Sequence, residues 1–185
     1  MNNQVRVGTK KITIVISSPG GDTASAFAAY NVLKSVPAEI TTFNAGSIDS
    51  AAMLIYLAGK YRYSFGDPAR FLIHGNSLTL GTNMPMDYGF LNSQLQQMKS
   101  LNQMVAQVIA NNSNKKHDEI ETLMQGQVIL SPEEAKSWGL VHEIRPTFME
   151  PGAVFVSVNA PVPTEKKPFE FGTALPPIGS ESPTK

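Results

Sequence analysis

Three short segments of the chain place chemically useful groups at the ends of predicted strands. Gly20 and Gly21 follow the apolar segment KITIVIS, Ser50 lies beyond the segment EITTFN, and His74 closes the segment RFLIH. Because the carboxyl ends of parallel strands collect at one edge of an α/β sheet, these residues can meet there. Acyl transfer needs a nucleophile, a base within hydrogen-bond reach and N–H donors for the developing oxyanion. A serine, a histidine and a glycine turn can supply these groups.

Each of these residues also has an ordinary structural interpretation. A Pro-Gly-Gly segment after a strand is usually a turn, a serine before an apolar helix is usually an N-cap, and a histidine at a strand end is usually packed or hydrated. His117, in a polar loop, and His142, in the last strand, keep that ordinary interpretation. Ser50 can cap the helix and attack a carbonyl at once, because a helix N-terminus suits both roles.

The elements that must position these residues alternate between strand and helix. Strands are predicted at residues 11–17, 39–44, 62–65, 70–74 and 140–144. Helices are predicted at residues 24–35, 50–58, 87–111 and 131–138. Asp22 or Thr23 is suited to cap the first helix, and the segment SPEE is a capping box for the last one. The alternation is typical of a parallel α/β sheet.

The sequence also predicts how two of the helices end and which face of the longest helix is apolar. Gly59 follows the apolar helix at the position where a left-handed residue is favoured, and Gly139 ends the last helix. The helix at 87–111 has apolar residues at helical spacing and a polar face of Gln and Asn. Its apolar face fits either core packing or a contact between subunits, and the spacing does not separate the two.

The composition limits the class of protein. The 185 residues are 42% hydrophobic and 16% charged, with 15 basic and 15 acidic side chains. We therefore expect one soluble domain, and a nucleic-acid role has no electrostatic basis. The chain has no cysteine and no apolar run long enough for a bilayer, so we expect a cytoplasmic protein without disulfides. The proline-rich residues 146–185 predict an extended or disordered tail.

From about residue 11 to residue 144 the chain resembles the proteolytic subunit of the Clp protease, within the Clp/crotonase superfamily. The matching segments occur in the family's order: ISSPGG at 16–21, GSIDSAA at 46–52, ARFLIH at 69–74 and LSPEEAKSWGLV at 130–141. The resemblance implies an α/β fold of repeated β-β-α units with a mostly parallel sheet. Residues 1–145 would form the peptidase domain. The helix at 87–111 would be the handle helix through which rings of such subunits stack.

The resemblance also implies roles for individual residues. Ser50 would attack the peptide carbonyl, His74 would accept the serine proton, and the N–H groups of Gly21 and Ala51 would form the oxyanion hole. Gln127 occupies the position of the family's triad aspartate; its amide can orient an imidazole but cannot stabilise it by charge. The implied function is a serine endopeptidase that acts on peptides or unfolded proteins through an acyl-enzyme. It would work as a homo-oligomeric ring without a metal or organic cofactor.

Besides Gln127, the chain departs from the family in two places. The segments that precede the family's first motif have no match here, which makes docking to an unfoldase ATPase doubtful. Gly126 stands where the family has an arginine used in contacts between rings, so a two-ring barrel of this chain would lack that contact. Asp49 directly precedes Ser50, and Asp118 and Glu119 precede position 127; we expect none of these three residues to replace the missing aspartate.

The sequence is also compatible with two alternative functions. The missing acid favours a catalytically silent relative that acts as a scaffold or assembly partner. Another enzyme of the superfamily is the second alternative: a serine–lysine peptidase, or an acyl-CoA enzyme that uses the Gly-Gly turn as its oxyanion hole. Lys60 and Lys99 are the nearest lysines in the sequence, but neither lies in a matched motif.

Overall fold

The computed structural model describes residues 10–78 and 86–149. The strands are Lys11–Ser18 (β1), Glu39–Asp49 (β2), Tyr61–Ser64 (β3), Arg70–Ile73 (β4), Val128–Leu130 (β5) and Glu143–Ile144 (β6). The helices are Thr23–Ser35 (α1), Ala52–Leu57 (α2), Tyr88–Asn111 (α3), His117–Gly126 (α4) and Pro132–Ser137 (α5). Residues 150–185, most of the expected tail, lie outside the described residues, so the division at residue 145 stays a prediction.

The strands form a single mixed sheet with β2 at its centre. The order is β5-β4-β2-β3-β6, and β1 pairs with the other edge of β2. The pairs of β2 with β1, β3 and β4, and of β3 with β6, are parallel. Only β4 and β5 pair in the antiparallel sense within the described chain. The predicted α/β architecture with a mostly parallel sheet is therefore confirmed.

Strand β2 changes its partner halfway along its length. Its residues 41–44 pair with β3, and its residues 47–49 pair with β4. Asn44 lies at the change and is fully buried. Its Nδ2 donates to the Arg70 carbonyl at 3.0 Å, and its Oδ1 accepts from the Gly46 N–H at 2.9 Å. The amide therefore bridges the irregular part of β2 to the start of β4.

Side-chain caps explain why the helix starts could be predicted closely. Asp22 accepts from the Ser25 N–H, and Asp87 accepts from the Phe90 N–H, each at 2.7 Å. Ser131 and Glu134 form the predicted capping box at the start of α5, with proline in its first turn. Such caps satisfy N–H groups that a helix leaves unpaired at its start.

The core forms where α2 and the end of α3 pack on the sheet. Its largest fully buried side chains include those of Phe43, Ile48, Met53, Leu54, Tyr56, Leu57, Phe71 and Ile109. Farther toward the N-terminus of α3, Leu91 and Leu95 are each 49% exposed. The apolar face of α3 therefore packs on this chain's own core only near its C-terminal end.

Three local predictions were wrong. Gly59 does not have a positive φ, so it does not end α2 in the left-handed region. A side chain is excluded there for another reason: a Cβ would collide with Thr42 Oγ1 and lie 2.9 Å from the Tyr61 carbonyl oxygen. His117 is the first residue of α4 rather than part of a loop, and His142 precedes β6 rather than lying in it. Gly139 does end its helix in the left-handed region, at φ 81°. None of the described helices has the length and apolar character needed to cross a membrane.

We expect Asn44→Leu to lower the free energy of unfolding by about 2–4 kcal/mol, because the Arg70 carbonyl and the Gly46 N–H would lose their partner in a buried place. Urea unfolding followed by circular dichroism measures the change. Asn92→Leu, at an exposed position of α3, is the matched control and should change stability by less than about 0.5 kcal/mol. Equal stabilities of the two variants would contradict the bridging role of Asn44.

Candidate active site

Ser50 lies on a sharp turn between β2 and α2. Its φ is 56°, in the left-handed region that costs a residue other than glycine about 1 kcal/mol or more. Its N–H donates to the Leu72 carbonyl of β4 at 2.8 Å, and its carbonyl accepts from the Met53 N–H at 3.0 Å. These two main-chain bonds hold the turn against both the neighbouring strand and the helix.

The prediction that the Ser50 side chain caps α2 was wrong. The N-cap is Ala51, and no side chain makes a capping hydrogen bond there. Within residues 10–78 and 86–149, the Ser50 hydroxyl has no hydrogen-bond partner. A strained backbone at a strand-to-helix turn, with a hydroxyl group that is not used in capping, resembles the arrangement that presents a serine nucleophile in other hydrolase folds.

His74 directly follows β4 and borders the same cavity as Ser50. The lining residues are Thr23, Ser50, Ala51, Met53, Ile73, His74, Asn76, Val105 and Ile109. The cavity measures about 20 Å³, enough for about one water molecule. The described side chains of Ser50 and His74 share no direct hydrogen bond, and such bonds are often long before substrate binds.

The Gly20–Gly21 turn packs against the Ser50 turn. A Cβ on Gly20 would lie 2.7 Å from both the Asp49 carbonyl oxygen and Ser50 Cβ, and 3.1 Å from Ala51 N. Gly20 also has a φ of 93°, which favours glycine. Gly21 has a φ of 155° and open space on its side-chain side. Of the described groups, none accepts a hydrogen bond from the N–H of Gly21 or Ala51, so both donors are available to a ligand.

The structure does not bring Gln127 to His74. Gln127 ends α4 at a φ of 56°, is exposed, and makes no hydrogen bond to the imidazole in the described chain. His74 Nδ1 lies instead 2.6 Å from the carbonyl oxygen of Gly75. The sequence motifs could not predict this partner of His74, because a main-chain carbonyl is supplied by every residue type.

The other acidic residues near the motifs have different partners. Asp49 is buried, and its Oδ2 pairs with Arg70 at 2.8 Å; its Oδ1 has no described hydrogen-bond partner. Asp49 does not line the cavity that Ser50 and His74 border. Asp118 is solvent-exposed in the first turn of α4, and Glu119 pairs with Lys115 at 2.6 Å. No described carboxylate therefore contacts His74.

The two lysines considered for serine–lysine chemistry lie elsewhere. Lys60 Nζ pairs with Glu39 at 3.0 Å, at the opposite end of β2 from Ser50. A strand of that length separates its ends by roughly 30 Å. Lys99 is exposed on α3 and does not border the cavity. Nothing in the described chain supports a serine–lysine pair at Ser50.

The other two histidines, His142 and His117, do not border the cavity and have other partners. His142 Nδ1 accepts from the Arg62 N–H at 3.2 Å, and burial together with the Arg62 charge lowers its pKa. The pKa of His117 is raised, chiefly by its hydrogen bond with Asp118. His117, Asp118 and Glu121 also form a group of possible metal ligands, but they are surface residues of one helical turn and do not border the cavity.

The mostly parallel sheet and the long helix α3 place this chain in the α/β class of proteins. A family model described as Clp protease matches residues 4–147. The chain belongs to the Clp protease family.

Individual relatives agree with this assignment. Proteolytic subunit 2 of the ATP-dependent Clp protease of Borreliella burgdorferi is 31% identical over 136 residues, which are 73% of this chain and 67% of the relative. The corresponding subunit 2 of Frankia casuarinae is also 31% identical over 136 residues, with 73% of this chain and 61% of the relative covered. The chain thus spans about two thirds or less of the length of these relatives.

A solved structure supports the fold independently. A point mutant of ClpP1 from Listeria monocytogenes superposes with a TM-score of 0.68 and 23% sequence identity. The match covers 77% of this chain and 78% of the other chain. At this identity the similarity establishes the architecture, while the chemistry of the present chain has to be argued from its own residues.

We expect Gly20→Ala to destabilise the protein by about 2–4 kcal/mol, because the added methyl group collides with the Ser50 turn and a positive φ becomes costly. The Ser50 amide should also exchange its hydrogen faster, since its bond to Leu72 would be strained. Gly126→Ala is the control, because a Cβ at Gly126 meets nothing within 4 Å. Urea unfolding and hydrogen exchange measure both effects. A Gly20→Ala protein as stable as the control would contradict the close packing of the two turns.

Proposed function

We propose that this chain hydrolyses peptide bonds as a serine peptidase, with Ser50 as nucleophile and His74 as general base. The observation that carries the proposal is the state of the Ser50 side chain. Its hydroxyl is not used to cap α2, its backbone is held in a strained turn, and it borders the same cavity as His74. A structural serine at a helix start would instead cap the helix.

The proposed reaction proceeds in two halves. Ser50 Oγ attacks the peptide carbonyl carbon while its proton passes to His74 Nε2. The negative charge that develops on the carbonyl oxygen is stabilised by the N–H groups of Ala51 and Gly21. The intermediate collapses, the peptide C–N bond breaks, and the imidazolium donates its proton to the leaving amine. Water then attacks the acyl-enzyme with His74 again as base, which releases the acid product and restores the serine.

The charge distribution favours slow turnover. In the part of the chain that the structure describes, the Asp49 carboxylate is paired with Arg70, and Gln127 is neutral and exposed. The imidazolium formed during the reaction therefore has no anionic partner. Replacing a triad aspartate by its amide costs about 10⁴ in turnover in a serine protease, which sets the scale of the expected loss.

Exposed apolar side chains on α3 support a homo-oligomer. Leu91 and Leu95 lie four residues apart on one face of α3 and are each 49% exposed, so two neighbouring large apolar side chains are left in water. Contact with further copies of the chain would remove this apolar area from water. We therefore also propose that the chain forms a ring-like homo-oligomer, which acts on peptides or unfolded proteins. We also propose that the 1–145 segment is the catalytic unit and 146–185 an accessory tail.

A non-catalytic assembly subunit is the second candidate. It is favoured by the absence of a described carboxylate beside His74 and of a direct bond between Ser50 and His74. The two functions differ in one measurable property, which is the nucleophilicity of the Ser50 hydroxyl. An assembly subunit would keep its fold and its contacts with other copies but would not react with a serine-directed electrophile.

We expect a fluorophosphonate probe to label the purified protein at Ser50. Ser50→Ala should abolish labelling, and His74→Ala should slow it by about 10²-fold or more, because the general base is lost. Ser47→Ala, on the same strand, is the control and should label normally. The assembly state is measured in parallel by light scattering. Absence of labelling in a folded, assembled protein would refute the peptidase and leave the assembly subunit.

We expect Gln127→Asp to raise the labelling rate by less than about tenfold, because His74 Nδ1 already has a partner and residue 127 is exposed. Gln125→Asp, an exposed position on the same helix, controls for the added charge alone. Labelling rates at matched pH and ionic strength give the comparison. A gain of a hundredfold or more, specific to position 127, would show instead that the imidazole needs a carboxylate for its orientation.

A further inference from the structure

The imidazole of His74 is oriented by the main chain. Its Nδ1 lies 2.6 Å from the Gly75 carbonyl oxygen. A carbonyl oxygen only accepts hydrogen bonds, so the Nδ1 atom must carry the hydrogen. In the neutral ring this leaves the lone pair on Nε2, which is the atom that a general base for Ser50 would use. The carbonyl therefore selects the tautomer that a triad carboxylate selects in other serine hydrolases.

The Gly75 carbonyl is itself held through the peptide group to which it belongs. The carbonyl of Gly75 and the N–H of Asn76 are parts of one rigid, planar unit. The Asn76 N–H donates to Asn102 Oδ1 at 2.8 Å, and Asn76 Nδ2 donates to the same oxygen at 2.8 Å. On the other side, the Gly75 N–H donates to the Met124 carbonyl at 2.8 Å. The Gly75 N–H belongs to the preceding peptide group, so these bonds restrain the chain on both sides of Gly75 and with it the orientation of its carbonyl.

The same residues connect the elements around the cavity. Asn102 lies on α3, and Thr23 is the first residue of α1, just after the Gly20–Gly21 turn. Thr23 Oγ1 donates to Asn76 Oδ1 at 2.5 Å, so Asn76 is bonded to both helices. The Asn102 amide also limits the space at Gly75, where a Cβ would lie 3.2 Å from Asn102 Nδ2. The segment after His74 is thus fixed from several directions.

We propose that Asn102 is a positioning residue which, through the Gly75–Asn76 peptide group, holds His74 in the Nδ1–H tautomer. This inference rests on the proposed peptidase function for its catalytic meaning. Asn102 and the Gly75 carbonyl supply the orientation that a triad aspartate supplies, and they supply no negative charge. Asn102 itself touches neither the substrate nor the reacting atoms.

The test compares two substitutions of Asn102 in the full chain. Asn102→Leu removes the acceptor at similar volume, and Asn102→Asp keeps an oxygen for both donors. Asn92→Leu, exposed on the same helix, is the control. Nitrogen NMR of ¹⁵N-histidine-labelled protein at pH 8 distinguishes the two tautomers of each neutral ring. With only 3 histidines in the chain, His74→Gln assigns the His74 signals.

The wild-type protein, Asn102→Asp and Asn92→Leu should each show a dominant Nδ1–H tautomer for His74. Asn102→Leu should show a mixture of tautomers. Its fluorophosphonate labelling should be slower by roughly 10- to 100-fold, less than the loss of about 10⁴ that follows from a fully wrong tautomer. The corresponding peptide kinetics should show a lower kcat with an unchanged KM. Recovery in Asn102→Asp distinguishes positioning from a general effect on folding.

Several results would overturn the inference. A dominant Nε2–H tautomer in the wild-type protein does so even where Asn102→Leu fails to fold. A folded Asn102→Leu protein with the wild-type tautomer and labelling rate also does so. The proposed function is tested separately: an unreactive Ser50 beside an Nδ1–H His74 that Asn102→Leu disturbs refutes the peptidase and leaves the positioning role intact. A reactive Ser50 beside an Nε2–H His74 refutes only the positioning role.

Discussion

The change of partner along β2 is the constraint on which the site depends. A strand that paired with β3 over its whole length would end far from β4, and Ser50 would have no strand-end histidine beside it. Instead, Asn44 bonds to the start of β4, and the last residues of β2 pair with Arg70–Leu72. The Ser50 N–H then bonds to the Leu72 carbonyl, two residues before His74. The register of one parallel pair thus brings the serine and the histidine to one cavity.

The interactions around Ser50 fix its local conformation more than they add to the free energy of unfolding. The left-handed turn at Ser50 carries a cost of about 1 kcal/mol or more, which the core beneath α2 must offset. The Asp49–Arg70 pair adds little net stability, because desolvating a carboxylate cancels much of the attraction to a half-exposed guanidinium. The buried apolar side chains of α2, among them Met53 and Leu57, stabilise the region more than this ion pair does. Strain at the serine is sustained because the helix after it is well packed.

The sequence predicted those features that local chemistry determines. Helix α1 begins as expected because Asp22 caps it, and α5 begins as expected because Ser131 and Glu134 form a capping box. Five of the six described strands, and the edge where Ser50, His74 and the glycine turn meet, followed from the alternation of elements, whereas β5 was not predicted. Local chemistry was misleading at Ser50, because a tertiary bond to Leu72 sets its backbone and moves the cap to Ala51.

Other features depend on contacts that residue types do not reveal. The role of Gly59 comes from the close approach of Thr42 and of the Tyr61 carbonyl oxygen. The polar residues before α4 resembled a loop, yet His117 and the acidic residues after it begin a helix. The partner of His74 is a main-chain carbonyl, which any residue can supply. Asn76 and Asn102 are 26 positions apart, and only the fold brings their amides together.

Orientation and charge are separable contributions of a triad acid, and the site that we propose would supply only the orientation. A carbonyl dipole bonded to Nδ1–H directs the ring and fixes its tautomer, but it stabilises an imidazolium less than a carboxylate does. The lost charge raises the barrier of the steps that form the imidazolium and leaves the ground-state geometry intact. A site of this kind keeps a directed serine and histidine while its turnover is limited by electrostatics. Its chemistry is therefore governed by what surrounds His74, and much less by the geometry of Ser50.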